Sequence, residues 1–120
     1  MEGIFPSNMG GNMNAVKEDV EKLIKKELVS ANQRFPMFRS DHEGAAVIFE
    51  EIEEVERELS GVRRAFGEAW CSVKHDEESG PHIHKLKVRA LYLAYEAIQV
   101  AAMAQKLINS QKERGKSEGN

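Results

Sequence analysis

The chain has 120 residues and a net charge of −3, with 41% hydrophobic and 31% charged residues. This length predicts one domain, and the lack of a basic excess argues against binding to a nucleic-acid polymer. The single cysteine excludes an intrachain disulfide. No apolar run reaches the roughly 18 residues of a membrane span, and no signal peptide is visible. We therefore expect a cytoplasmic protein without a membrane partner.

The N-terminal part of the chain predicts a flexible segment followed by one helix. Residues 1–13 are rich in Gly and Asn and lack periodicity, which indicates flexibility. A helix is predicted from Asn14, a residue type that caps helices, because apolar residues then recur at steps of three and four. It should end before Phe35, since Pro36 disfavours a helical residue ahead of it.

A capping box predicts the start of the second helix. In "SDHE" the Ser40 side chain can accept from the Glu43 amide, and Glu43 can reach back. The apolar stripe that follows predicts the buried face of this helix; it consists of Ala45, Ile48, Ile52, Val55 and Leu59. Ser60 and Gly61 predict a break, and a further helix is predicted over 62–74.

The last predicted helix is the most apolar segment. It runs from about His82 to Asn109, and its middle, "ALYLAYEAIQVAAMAQKLI", is apolar almost all round, which is typical of a central buried helix. Residues 110–120 contain no apolar side chain and are predicted to be a flexible tail. Residues 14–109 are thus predicted to form one all-α domain that resembles a four-helix bundle.

The stretch "VIFEEIEEVERELS" contains six glutamates between Val47 and Ser60. Glu51 and Glu54 are neighbours on one helix face at the edge of the predicted apolar seam, and like charges at this spacing repel by a few tenths of a kcal/mol, roughly. A divalent cation would relieve that repulsion. The alternative is an ordinary solvated acidic face, which charge runs usually form.

A second carboxylate lies in the apolar last helix. Glu96 is costly to bury unless it is paired or bound to a metal ion, and Gln99 follows one turn later on the same side. If this face meets Glu51 and Glu54, three carboxylates and one amide oxygen come together, a donor set that suits Mg²⁺. The alternative for Glu96 is a buried ion pair with Arg89 or Lys85.

These two stretches together resemble a known family. "EEIEE", 50–54, and "EAIQ", 96–99, are similar to the paired motifs of the MazG-like all-α nucleoside triphosphate pyrophosphohydrolases, in particular small phage and prophage members, over roughly residues 38–107. The resemblance implies a four-helix fold, assembly into dimers or tetramers, Mg²⁺ or Mn²⁺ as cofactor, and hydrolysis of an NTP or dNTP to the monophosphate and pyrophosphate. Two departures weaken it: Gln99 stands where the family has an aspartate, and the interval between the motifs is long.

The resemblance also implies roles for individual residues. Glu51, Glu54, Glu96 and Gln99 would be metal ligands, and Glu50 would be a further ligand or a catalytic group that orients the attacking water. Candidate substrate-binding residues are Lys85, Arg89, Tyr92 and Trp70. The alternatives are core packing for Trp70 and its neighbour Phe66, and solvated or ion-paired roles for the basic residues. For the whole protein, the alternative is a non-catalytic oligomeric helical accessory or interaction protein.

Overall fold

A computed structural model of the chain describes the backbone of residues 9–118 and the side chains of residues 16–115. Three helices follow in order: α1 over Met9–Asn32, α2 over Asp41–Lys74 and α3 over Gly80–Glu118. The described backbone contains no strand, so the predicted all-α class is confirmed. Of the segment 1–13 that was predicted to be flexible, residues 1–8 lie outside the described residues, and α1 begins at Met9 instead of near Asn14.

Helix α2 is continuous, so the predicted break at Ser60 and Gly61 is wrong, and the described chain has three helices instead of four. Gly61 serves helix packing: a Cβ at this position would lie 3.2 Å from Arg89 Cδ of α3. A glycine inside a helix costs about 1 kcal/mol relative to alanine. That cost is too small to end a helix that packs against a neighbour along its length.

The predicted cap of α2 is confirmed in its main feature. The backbone of Ser40 is extended, and its side-chain oxygen accepts the Glu43 N–H at 3.1 Å. The Glu43 carboxylate accepts the N–H of Arg39 at 3.3 Å, one residue before the predicted partner. At the other end, Asp76 has φ 53°, a conformation that aspartate tolerates better than most residues, and the chain reverses there into α3.

Helices α2 and α3 form an antiparallel pair. A Cβ added at Gly44 would touch the Leu107 side chain, and near the turn His82 Nδ1 lies 3.3 Å from the Glu68 carboxylate. Helix α1 packs on α3, where the largest apolar cluster lies. This cluster consists of Phe38, Ala102 and Met103 with Ile24, Leu28, Ala31, Val47, Ile48 and Leu107 around them. The apolar helix α3 therefore contacts both others, as its sequence predicts.

Helix α3 extends past its predicted end at Asn109, so that prediction is wrong. Ser110 is fully buried; its oxygen accepts the Phe38 N–H at 2.9 Å and its hydroxyl donates to the Lys106 carbonyl at 2.8 Å. One turn later, Arg114 donates to the Phe38 carbonyl at 3.0 Å and also bonds the Asp41 carboxylate. Part of the predicted tail, 110–120, thus holds the connection between α1 and α2.

The single chain leaves much of its apolar surface uncovered. The face of α2 that packs on α3 carries small residues such as Ala65, Ala69 and Ser72, whereas Ile52 and Phe66 are 38% and 55% exposed. The accessible surface is 9255 Å², against about 6500 Å² for a compact monomer of this mass. The radius of gyration is 19.4 Å, against about 14 Å for a compact domain. The predicted apolar stripe of α2 is therefore only partly covered within one chain: Ile48 packs against the apolar cluster, whereas Ile52 and Leu59 are more than a third exposed.

None of the helices in the described part of the chain is both long and apolar enough to cross a membrane.

Candidate functional site

The antiparallel register places the acidic stretch of α2 opposite Glu96 of α3. Glu51, Glu54 and Glu96 are all half-buried there, and their charges act on one another. Burial raises the pKa of Glu51, and the charges of Glu96 and Glu54 raise it further. The structure therefore brings together three of the four predicted metal-ligand candidates as one carboxylate cluster, defined here as Glu51, Glu54 and Glu96.

The pKa of Glu96 is raised, because burial and neighbouring negative charges outweigh the one positive charge that acts on it. Burial raises this pKa, the charges of Glu54 and Glu58 raise it further, and Arg57 opposes them. No described side chain forms an ion pair with Glu96. The alternative in which Arg89 or Lys85 pairs with Glu96 is therefore wrong, since Arg89 instead lies 3.8 Å from the Glu58 carboxylate.

One arginine pairs with a member of the cluster, and a second faces Glu58, one turn further along α2. Arg57 Nη1 lies 2.6 Å from Glu54 Oε1, one turn along α2. Arg89 faces Glu58, yet the Glu58 Oε2 atom is buried and accepts no hydrogen bond from the described residues. Carboxylate oxygens without enough donors are favourable positions for a cation.

Gln99 contacts α1 instead of the acidic stretch of α2. Its side-chain amide donates to Glu27 Oε2 at 2.7 Å, and both residues are half-buried. Sequence reasoning missed Glu27, because it is one of several acidic residues on α1 and nothing in its spacing marks it. The predicted amide ligand is thus hydrogen-bonded to a carboxylate of α1, and Gln99 is not part of the carboxylate cluster.

The carboxylate cluster offers oxygen donors of the kind that Mg²⁺ binds, but its side chains do not form a metal cage. Among the described residues, no three His, Cys, Asp or Glu side chains form a group arranged to hold a metal ion. Mg²⁺ is commonly held by one or two carboxylates and completes its six positions with waters and substrate phosphates. The donor chemistry and the unneutralised charge therefore suit Mg²⁺ only with such outside ligands.

A polar cleft of about 560 Å³ adjoins the carboxylate cluster at Arg57, which lines the cleft and pairs with Glu54. Three guanidinium groups contribute to its wall, those of Arg57, Arg64 and Arg89, and such groups match the oxygens of phosphate. Helical spacing in the sequence predicts that Arg57 is solvated, and it does not single out Arg64 as a site residue. Arg89 lies beside these two arginines because α3 crosses α2 at Gly61. The cleft is lined by Glu53, Glu56, Arg57, Glu58, Ser60, Gly61, Arg64 and Arg89. We refer to it as the arginine cleft.

The other predicted site residues are more scattered. Trp70 lies on the same helix as Glu54 but 16 positions further on, about 24 Å away, so one chain does not bring it to the cluster. It is 50% exposed, and Phe66 is also exposed, so neither is core in the single chain. Lys85, Tyr92 and Glu50 are exposed; the charge of Glu50 acts on Glu51. The roles predicted for these residues stay predictions.

No protein-family model, no curated protein and no solved structure matches the chain.

Proposed function

We propose that the protein is a Mg²⁺-dependent nucleoside triphosphate pyrophosphohydrolase, related to the MazG-like family, that converts an NTP or dNTP to the monophosphate and pyrophosphate. The observation that carries this proposal is the half-buried carboxylate cluster, whose negative charge is incompletely neutralised and which lies beside the arginine cleft. A cation site next to phosphate-binding guanidinium groups is the pairing that triphosphate chemistry requires.

Each group has a role in this proposal. Glu51, Glu54 and Glu96 would hold Mg²⁺, which supplies charge neutralisation on phosphate oxygens and lowers the pKa of a bound water. Exposed Glu50, next to the cluster, would accept a hydrogen bond from the attacking water and orient it. The water oxygen would form a bond to the α-phosphorus and release its proton to solvent, the bond from the α-phosphorus to the bridging oxygen would break, and pyrophosphate would leave with that oxygen.

The arginine cleft would bind the leaving pyrophosphate. Arg64 forms no ion pair with another described side chain, so its guanidinium is available to a phosphate. Arg57 and Arg89 would exchange their carboxylate partners for phosphate oxygens when a cation takes over the carboxylates. Negative charge builds up on the leaving group as the bond breaks, so guanidinium groups placed there stabilise the transition state.

We also propose that the protein works as a dimer or tetramer. The apolar stripe of α2 is partly exposed, and the chain has roughly 2700 Å² more surface than a compact monomer of its mass. An interface of standard size covers about 800 Å² on each partner, which is less than a third of this excess, so we expect a larger interface of the obligate kind or contacts with more than one copy. Trp70 would reach a nucleotide only if a partner chain carried it to a neighbouring site.

A second candidate function is that of a non-catalytic oligomeric helical interaction protein of phage or prophage type. The observation in its favour is the short contact between Arg57 and Glu54, which neutralises one carboxylate of the cluster without a metal ion. In that case the acidic stretch and the exposed apolar stripe would serve assembly alone.

Pyrophosphate release from a panel of NTPs and dNTPs, with Mg²⁺ or Mn²⁺, separates the two candidates. The assay includes Glu54→Gln, which removes a ligand charge, and Glu18→Gln, an exposed glutamate of α1, as the matched control. Turnover that requires the metal, is lost in Glu54→Gln and persists in Glu18→Gln supports the hydrolase. A wild-type protein that releases no pyrophosphate from any nucleotide contradicts it and favours the interaction protein.

A further inference from the structure

A second pocket, of about 580 Å³, lies where the connection between α1 and α2 passes over α3. It is far from the hairpin turn and shares no lining residue with the arginine cleft or the carboxylate cluster. Its wall combines apolar and cationic side chains and consists of Ala31, Arg34, Phe35, Met37, Phe38, Arg39, Glu43, Val47 and Lys106. We refer to it as the Lys106 pocket.

Lys106 is the unusual member of this wall. The residue is only 5% exposed, and its Nζ lies 4.7 Å from the centre of the Phe38 ring. None of the described carboxylates forms an ion pair with it. Glu43 is the one acidic residue of the pocket, and its carboxylate also accepts the Arg39 N–H. Buried charges are normally paired, whereas this ammonium lies over the Phe38 ring and the charge of Glu43 acts on it without forming an ion pair.

The pocket as a whole has more positively than negatively charged side chains. Arg34, Arg39 and Lys106 oppose the single carboxylate of Glu43, and neither arginine forms an ion pair with another described side chain. The remaining lining residues are apolar, and two of them are open to a ligand, since Phe35 is 67% exposed and Met37 is 39% exposed. A largely apolar wall with a few converging polar groups is typical of small-molecule sites.

We propose that the Lys106 pocket binds a small amphipathic anion, with an apolar body and a carboxylate or phosphate-ester head. The head would face the Lys106 ammonium and supply the negative charge that the protein lacks there. The apolar body would cover Phe35 and Met37. This site is independent of the hydrolase proposal, because none of its residues takes part in that chemistry.

The test is a set of amide NMR titrations of the ¹⁵N-labelled full-length chain with four probes that differ in one feature each. Octanoate and octyl phosphate carry the two head groups, 1-octanol keeps the tail without the charge, and inorganic phosphate is the charge without the tail. We expect saturable shifts centred on Phe38 and Lys106 with at least one of the two octyl anions. Binding of 1-octanol and of inorganic phosphate should be weaker by about tenfold or more.

Two variants decide whether Lys106 recognises the head group. Lys106→Met keeps the length of the stem and removes the charge, and the expected result is a loss of about tenfold or more in affinity for the octyl anion with 1-octanol unchanged. Lys112→Met, at an exposed position of the same helix, should change neither affinity. Equal binding of 1-octanol and the anions, full affinity in Lys106→Met, an equal response to inorganic phosphate, or shifts centred on the apolar stripe of α2 would each overturn the proposal.

Discussion

Gln99 of α3 donates its side-chain amide to the Glu27 carboxylate of α1 at 2.7 Å. This hydrogen bond joins α1 to α3, and it gives a neutral residue at position 99 a structural purpose. An aspartate at position 99, as in the family that the motif resembles, would set a second carboxylate against Glu27 and could not donate when ionised.

Gln99→Asp should therefore lower the free energy of unfolding by about 1–2 kcal/mol, because a hydrogen bond to a charged group is lost and a repulsion is added. Glu27→Gln in the same chain should recover most of that loss, since the new amide can donate to the new carboxylate. Urea denaturation of the two single variants and the double variant measures the coupling. If the two changes simply add, Gln99 and Glu27 do not interact in solution.

The carboxylate cluster predicts a characteristic pH dependence of stability. Because folding raises the pKa values of Glu51 and Glu96, the folded state binds protons more tightly than the unfolded state. Their contribution to stability is therefore full below the ordinary carboxyl pKa and is lost as the pH rises through the raised values. Between about pH 4 and pH 7, Glu51→Gln should gain thermal stability relative to the wild type.

The control for this comparison is Glu18→Gln, whose difference from the wild type should stay constant over the same pH range. Thermal unfolding midpoints of the three proteins, recorded without divalent cations, give the result. A Glu51→Gln variant that follows the wild type at every pH would show that the cluster is not electrostatically strained.

The arginine cleft predicts a contrast between two neighbouring arginines. Arg64 lines the cleft, whereas Arg63 is exposed, does not line it and points about 100° away on the same helix. In the pyrophosphate-release assay, Arg64→Gln should raise KM for the nucleotide about tenfold, as expected for the loss of one charge-assisted contact. Arg63→Gln should leave KM unchanged. Equal effects of both changes would indicate a general charge effect instead of a phosphate site.

The exposed apolar stripe of α2 predicts self-association. Light scattering after size exclusion should give a mass of at least twice the 13.5 kDa chain. Phe66→Asp places a charge two turns beyond Leu59, where the exposed Phe66 extends the stripe, and it should shift the protein to monomer because a buried unpaired charge opposes the interface. Phe49→Asp, an equally exposed apolar position outside the stripe, is the control and should leave the mass unchanged.

Ser110 predicts a stability effect from the part of α3 beyond Asn109. Ser110→Ala leaves the buried Phe38 N–H without its acceptor and should lower the free energy of unfolding by about 1–3 kcal/mol. Gln111→Ala, at the exposed neighbouring position, should change it little. Urea denaturation measures both. A Ser110→Ala variant as stable as Gln111→Ala would show that this turn of α3 frays in solution.

The start of α2 could be predicted better than the packing, for a physical reason. The Ser40 cap depends on residues three apart, so its signal is local, and the structure confirms it. Gly61 gave a false local signal for a break, because the reason for a glycine there is Arg89, nearly thirty residues away. The end of α3 failed in the same way, since Ser110 and Arg114 bond to the connection between α1 and α2.

The same contrast between local signals and contacts of distant residues applies to the candidate site. The sequence predicted that Glu51, Glu54 and Glu96 lie close together. Two features indicated this, the helical spacing of Glu51 and Glu54 and the apolar surroundings of Glu96. The prediction requires only that two helices pack antiparallel. Glu27 and Arg64 could not be predicted as site residues from the sequence. Their contacts depend on the register between helices, and the spacing of residues within one helix does not determine that register. The burial of Ile52 was predicted from an apolar stripe, but a stripe does not tell whether the covering helix belongs to the same chain.

Direct cation binding is the measurement that tests the central claim, that Glu51, Glu54 and Glu96 act as one divalent-cation site. Free Mn²⁺ is followed by electron paramagnetic resonance while wild-type protein and Glu96→Gln are titrated with a non-hydrolysable triphosphate present. We expect one competitively Mg²⁺-displaceable ion per wild-type chain and an affinity lower by about tenfold or more in Glu96→Gln, since a ligand charge is lost. Equal affinities in the two proteins, or no bound ion in either, would contradict the claim.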